Sequence, residues 1–203
     1  MKRLTVHGDV WGDNVDREVV KVLRDGGIVM HPTETCYGLA VDIFNEDAVA
    51  RLYALKEMSM RKPVSIIVHS IDDAARWGDV DEKARKLMTK FWPGPYTFIV
   101  RRGNLLPPFF NKGIEKVGLR NPSTPGILNV VKKLGHSVTT TSANLSGRPQ
   151  AYDVEDFLTQ LKGENLDIVP DLIVDAGFLG HNEPSAVYDV VDDVVIRGEI
   201  DLN

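Results

Sequence analysis

The sequence predicts an α/β domain built on a mixed, twisted sheet, and three observations carry that reading. Short runs of β-branched and apolar residues recur along the chain. Segments with apolar residues at helical spacing lie between them. The two kinds do not alternate strictly, so a purely parallel sheet is not expected. The 203 residues hold no internal repeat and no Pro/Gly/Ser-rich linker, so one domain over 1–203 is expected.

The elements follow in order. Val15 to Arg24 puts Val15, Val19, Val22 and Leu23 on one helical face, and Gly26-Gly27 ends it. Ile28-Val29-Met30 is a short buried strand running into Pro32. Asn45 is a good N-cap, and Ala48, Leu52 and Leu55 form a helical stripe ending near Lys56. Val64 to Val68 is an apolar strand. Asp81 to Phe91 is a helix stopped by Pro93-Gly94-Pro95. Tyr96 to Val100 and Val117 to Arg120 are strands. Thr124 caps a helix that carries Pro125 at its first position and runs to Leu134 before Gly135. Val138 to Thr141 is a β-branched strand, and Asp153 starts a helix through Leu161. Leu172 to Val174, Ala186 to Val191 and Val194 to Arg197 close the chain as short strands. About seven strands are expected.

Apolar residues at 43% and charged residues at 26% exclude disorder for the bulk of the chain. The net charge of -5 excludes a general nucleic-acid coat protein. Its distribution is uneven: 83–133 carries 11 basic and 1 acidic side chains, while the flanking segments are acidic. Such a stretch is a candidate footprint for phosphate, of a nucleotide or of RNA, or else a solvated helix face with loop charges. The single cysteine, Cys36, cannot form an internal disulfide and reads as a buried structural thiol. No apolar run can span a bilayer, and the N-terminus has no signal-peptide core. A soluble, cytoplasmic protein without membrane contact is expected.

The common catalytic signatures are missing. There is no phosphate-binding P-loop, dinucleotide turn, nucleophile elbow or zinc-protease helix. The five histidines (7, 31, 69, 136 and 181) have no metal spacing, so no protein-held metal is expected. Instead, polar clusters follow apolar strands at once in four places. HPTETCYGL places Thr33, Glu34 and Thr35 in a turn after a strand. Lys56, Arg61 and Lys62 precede the strand at Val64 and suit an anion or a solvated helix end. Arg120 leaves its strand just before a helix N-terminus, a pairing suited to carboxylate or phosphate. Ser142, Asn144 and Ser146 lie on one side if the chain stays extended. In an open α/β sheet such loops converge beside strand ends. Together they favour a polar site for a small charged ligand.

In combination, PTETCYGL, Lys56 ahead of the Pro63 strand, FWPGPYT, VGLRNPSTP and TTTSANLSG resemble the YrdC-like family, whose best-known members are threonylcarbamoyl-AMP synthases. The resemblance runs from about Arg17 to about Ile200. It implies a YrdC-like twisted open sheet with flanking helices and a concave basic face. The implied reaction takes L-threonine, bicarbonate and ATP to threonylcarbamoyl-AMP and pyrophosphate. A downstream threonylcarbamoyltransferase would pass the group to tRNA as threonylcarbamoyladenosine. Mg²⁺ would arrive with ATP. Some family members carry a further C-terminal domain, and this chain reads as the single-domain form.

Residue by residue, the resemblance assigns L-threonine to Thr35, Arg120, Thr140 and Ser185, with Arg120 on the carboxylate. It assigns ATP to Lys56, Lys62, Ser142, Asn144 and Arg197, with Lys56 facing the phosphates. Lys56, Ser142 and Asn144 are also the candidate catalytic groups. One departure stands out. The family's K-x-R-P reads Lys56-Glu57-Met58-Ser59, and Met58 cannot bind phosphate. Arg61, three residues on, is the candidate replacement and completes the catalytic set. Pro184 and Ala186 around Ser185, and Lys116, are further departures. Two other readings compete: a non-enzymatic module binding tRNA or double-stranded RNA, and a carbamoyl-adenylate-forming domain as in hydrogenase-maturation proteins.

Overall fold

The computed structural model describes residues 1–163 and 168–202. It holds ten strands rather than about seven, and six helices, among the described residues. In chain order these are β1 (Lys2–Thr5), α1 (Asp13–Arg24), β2 (Val29–His31), β3 (Gly38–Ala40), α2 (Glu46–Leu55), β4 (Ser65–Ile67), α3 (Ile71–Trp77) and α4 (Glu82–Phe91). There follow β5 (Tyr96–Arg101), β6 (Lys116–Arg120), α5 (Pro125–Leu134), β7 (Val138–Ser142), α6 (Val154–Gly163), β8 (Leu172–Asp175), β9 (Ala186–Asp189) and β10 (Val194–Arg197). β1, β3 and α3 were not expected.

The strands form one sheet in the order β1-β8-β2-β3-β7-β4-β6-β5-β9-β10. β8 pairs in parallel with β1 and β2, β4 with β6, and β5 with β9. The remaining neighbours run antiparallel, so the sheet is mixed, as the irregular alternation of elements implied.

Period-two alternation divides the strands between two cores. Met30, Ile66 and Ile173 face one cluster, which includes Leu52 of α2, Trp77 of α3, Met88 of α4 and Phe157 of α6. Val29, Ile67, Leu172 and Val174 face the other, with Val19 and Leu23 of α1 and Ile127 and Val130 of α5. Each fully buried aliphatic contributes roughly 1.5–3 kcal/mol, so the sheet is clamped from both sides.

Helix boundaries have local causes. Asn45 accepts from the Ala48 amide, Ser70 from Asp73 and Asp81 from Ala84, each satisfying an orphan N–H at a helix start. Gly135 ends α5 in the left-handed conformation, at φ 89. Thr124 occupies the N-cap of α5 as expected, but its side chain makes no capping bond. Between β8 and β9 the chain passes from the second to the ninth position of the sheet through a connection at 176–185 without regular structure.

Candidate active site

Strand register assembles a polar row across one face of the sheet. Thr140 of β7 pairs with Ser65 of β4. Gly118 lies against Ser65, and Arg120 of β6 pairs with Thr97 of β5. Thr97 pairs in turn with Val187 of β9, and Val187 with Arg197 of β10. Side chains at paired positions share a face. Thr140, Ser65, Arg120, Thr97, Val187 and Arg197 therefore look the same way. They line a cleft of about 210 Å³, closed by Thr35 and Cys36 on one side and Pro184 and Ser185 on the other. Gly118 is fixed by close approach, since a Cβ there would stand 2.2 Å from Ser65 Oγ.

Two arginines govern the cleft. Arg120 is 8% exposed. Its Nη2 donates to Glu34 Oε1 at 2.8 Å and to Thr35 Oγ1 at 3.0 Å. Arg197 donates from Nε to the Ser185 carbonyl and from Nη2 to Ser185 Oγ, both at 2.9 Å. No carboxylate pairs with Arg197 among the described residues. Burial, and then the nearby Arg120 charge, lower its pKa. Two guanidinium groups that disfavour each other are stabilised by an anion between them. Burial pushes the Cys36 thiol upward, which makes it a poor nucleophile despite its place in the wall.

Lys56 holds the loop after β7. It is buried, and its ammonium donates to the Ser142 carbonyl, to the Asn144 carbonyl at 2.7 Å and to Asn144 Oδ1 at 3.1 Å. Burial pulls its pKa down to about 8. Its backbone carbonyl accepts from the Ser146 amide, and Lys62 Nζ donates to Ser146 Oγ at 3.1 Å. Ser142, Asn144 and Ser146 therefore do not share one side of an extended segment. The chain turns here, with the Asn144 amide on the Ser142 carbonyl and Ser142 Oγ on Asn144 Oδ1.

The structure thus gathers Thr35, Arg120, Thr140, Ser142, Ser185 and Arg197 at the cleft wall. Lys56 and Asn144 stand behind the wall through Ser142. Lys62 braces the same loop from outside. Arg61 is exposed, and its side chain contacts none of these groups. Met58 packs against the larger core, which gives an apolar side chain a reason to stand there. Ser65, Thr97 and Gln150 of the lining were missed, as was Gly118, which lies against Ser65 and Thr97. Their signal was present for three of them: a polar residue or glycine interrupts an otherwise apolar strand at Ser65, Thr97 and Gly118.

The basic stretch disperses in three dimensions. Lys83 pairs with Asp193, Arg85 with Asp72, Lys86 with Glu82, and Lys133 with Asp13 and Asp16. Lys116 pairs with Asp189 and Asp192. Arg102 binds carbonyls of its own loop. Arg120 is the only basic residue of that stretch that lines the cleft, and the local excess is mostly neutralised by the acidic flanks and is not a phosphate-tracking stripe.

Comparison with known proteins bears on this site. Residues 21–198 match the family model for Sua5, YciO and YrdC, described as telomere recombination. A threonylcarbamoyl-AMP synthase of Bacillus subtilis is 34% identical over 183 residues, covering 88% of this chain and 51% of that protein. A threonylcarbamoyl-AMP synthase of Cellvibrio japonicus is 31% identical over 178 residues, covering 87% of this chain and 91% of that one. The crystal structure of P. abyssi Sua5 complexed with L-threonine superposes with a TM-score of 0.86 at 25% identity, over 97% of this chain and 57% of that chain.

Proposed function

The chain belongs to the Sua5, YciO and YrdC family, and from that premise we propose that it condenses L-threonine, bicarbonate and ATP into L-threonylcarbamoyl-AMP, releasing pyrophosphate and water. The observation that carries the reading is the pairing of Arg120 and Arg197 in one hydroxyl-lined cleft. Threonine is a zwitterion with a hydroxyl. Arg120 takes its carboxylate, and Thr35, Thr140 and Ser185 offer short polar contacts to the rest. Arg197, with no carboxylate partner among the described residues, takes phosphate.

The chemistry asks for alignment rather than a covalent nucleophile. The threonine amine, once deprotonated, takes up carbon dioxide derived from bicarbonate and becomes a carbamate. A carbamate oxygen attacks the α-phosphorus of ATP, and the bond to the pyrophosphate oxygen breaks. Fixed donors beside the phosphoryl oxygens lower the barrier by charge stabilisation, and a shared cleft supplies proximity. Ser142 and Asn144, held by Lys56, form the rigid edge against which the nucleotide lies, and Lys62 lies beside them. Lys56 acts here mainly as the brace of that edge. Arg61 reaches phosphate only if its loop moves inward.

Mg²⁺ fits as a companion of ATP. The cleft wall offers hydroxyls, amides and cations rather than carboxylates, and the described residues contain no cluster of three or more metal-ligating side chains. The ion would ride on phosphate oxygens with water completing its shell, and would supply charge neutralisation. The product suits a downstream threonylcarbamoyltransferase acting on tRNA, and the cytoplasm is the compartment we propose for it. No described helix is long and apolar enough to cross a membrane.

Incubation with L-threonine, bicarbonate and labelled ATP tests the reading. The expected result is pyrophosphate release dependent on all three, with a threonylcarbamoyl-adenylate product. Arg120→Ala should weaken threonine binding by about 2–5 kcal/mol, as when one partner of a buried charge pair is lost. ATP turnover indifferent to threonine would overturn the proposal.

A further inference from the structure

We infer that Glu34 is a positioning residue that sets how Arg120 presents itself to the substrate carboxylate. The inference rests on the function proposed above. Glu34 is not part of the cleft wall. It stands behind Arg120, with Oε1 on Nη2 at 2.8 Å and a side chain 17% exposed. Its second oxygen accepts from Thr124 Oγ1 at 3.3 Å. Thr124 holds the N-cap of α5, yet its hydroxyl makes no capping bond and is spent on Glu34. A cap of this kind ordinarily contributes about 1 kcal/mol to its helix, so its diversion marks the Glu34 contact as one the fold maintains at a cost. The Glu34 backbone carbonyl is also held, by Asn182 Nδ2 at 3.2 Å.

The consequence follows from the hydrogens of a guanidinium. Both bidentate grips on a carboxylate, end-on and side-on, use Nη2. Glu34 and Thr35 consume both Nη2 hydrogens. Nε is buried and has no partner among the described residues. An orphan donor is expensive, and this one persists because Nη2 is fixed from two sides. Nη1 remains, without a partner among the described residues. Arg120 therefore meets the substrate carboxylate through Nη1 in a single-point contact. Glu34 fixes the guanidinium plane that makes this possible.

Steady-state kinetics and calorimetry on three variants test the inference, with L-threonine itself as the probe. Glu34→Gln keeps an accepting oxygen and the shape, so KM for threonine should stay within about threefold of the parent. Glu34→Ala frees the guanidinium, and KM for threonine should rise about tenfold or more with KM for ATP unchanged. Thr124→Val should shift threonine KM in the same direction as Glu34→Ala, by less, and it serves if Glu34→Ala does not fold. A fall in threonine KM in Glu34→Ala would mean that Glu34 competes with substrate, and it overturns the inference. A parallel loss in threonine KM, ATP KM and melting temperature would mean a merely structural role, and overturns it too. If the parent chain itself binds no L-threonine, the proposed function fails. If the parent binds it and Glu34→Ala and Thr124→Val bind it equally well, only this inference fails.

Discussion

Replacing Lys56 by methionine separates a brace from a ligand. Methionine nearly matches the lysine stem in length, so the change removes the ammonium and little else. Three bonds from the ammonium are lost, to the Ser142 carbonyl, the Asn144 carbonyl and Asn144 Oδ1, although the Ser142 carbonyl keeps the Asn144 amide and Asn144 Oδ1 keeps Ser142 Oγ. Hydrogen bonds from a charged donor contribute roughly 1.5–3 kcal/mol each, so the gross loss is about 4–9 kcal/mol. Against this, the variant no longer buries a charge. A pKa drawn down from 10.5 to about 8 corresponds to a burial cost of roughly 3 kcal/mol that the variant avoids. Ser142 and Asn144 are half-buried, so water can reach their freed oxygens and recover much of the rest. The net destabilisation should be about 2 kcal/mol. For a chain of this size that lowers the melting temperature by about 4–8 °C. Calorimetry in the presence and absence of ATP reads both effects. The expected pattern is a lower melting temperature together with weaker ATP binding, because the loop at 142–146 loses its shape. An unchanged melting temperature with ATP binding abolished would refute the argument, because Lys56 would then act as a direct phosphate ligand.

Two further outcomes follow from buried groups. His31 is fully buried and burial holds its pKa down at about 4, below the unfolded value of 6.5. The unfolded chain therefore binds a proton that the folded chain refuses: stability contributed by the neutral ring is complete above pH 6.5 and lost as pH falls toward 4, by at most roughly 3 kcal/mol. Urea midpoints from pH 7 to 4 should fall in the parent and flatten in His31→Phe; equal slopes would remove His31 as the cause. Gly118→Ala places a methyl 2.2 Å from Ser65 Oγ and 3.3 Å from Thr97 Cγ2 on the cleft floor. It should cost about 1–3 kcal/mol of stability and weaken ligand binding, and unchanged affinity in a threonine titration would show that the floor yields.

The legible parts of this fold were those where one strong local signal decided the outcome. Val138 to Thr141 is β-branched throughout, and α5 begins at Pro125 and stops at Gly135. β3 escaped notice because three residues starting at Gly38 give no period to read. β1 is an edge strand whose four residues are mostly exposed, so no buried face imprinted itself on its sequence. α3 has seven residues and a Ser70 cap that was overlooked. Strand order could not be read at all, since β8 pairs with β1 across 170 residues of chain, Lys2 to Leu172, and also with β2, and packing alone decides both. The site residues came chiefly from the family resemblance. What the sequence could not provide was direction: Lys56 points beneath the loop and not into the cleft, and Arg61 points to solvent. The basic stretch misled for a related reason, because its partners lie in distant segments that only the fold brings near.

The sheet order has a consequence for how the protein is born. Cleft residues run from Thr33 to Arg197, and the last two walls, Ser185 just before β9 and Arg197 on β10, lie at the far end of the sheet from β8. At about 5–20 residues per second, synthesis exposes the Thr35 loop many seconds before β10 leaves the ribosome. Throughout that interval the nascent chain has half a cleft and is blind to its ligands. On the proposed function, threonine and ATP therefore offer no help to the first folding attempt. They act on completed chains alone, where binding to the native state shifts the folding balance by mass action. A variant that misfolds during translation will not be rescued by substrate, whereas one that unfolds after release will be.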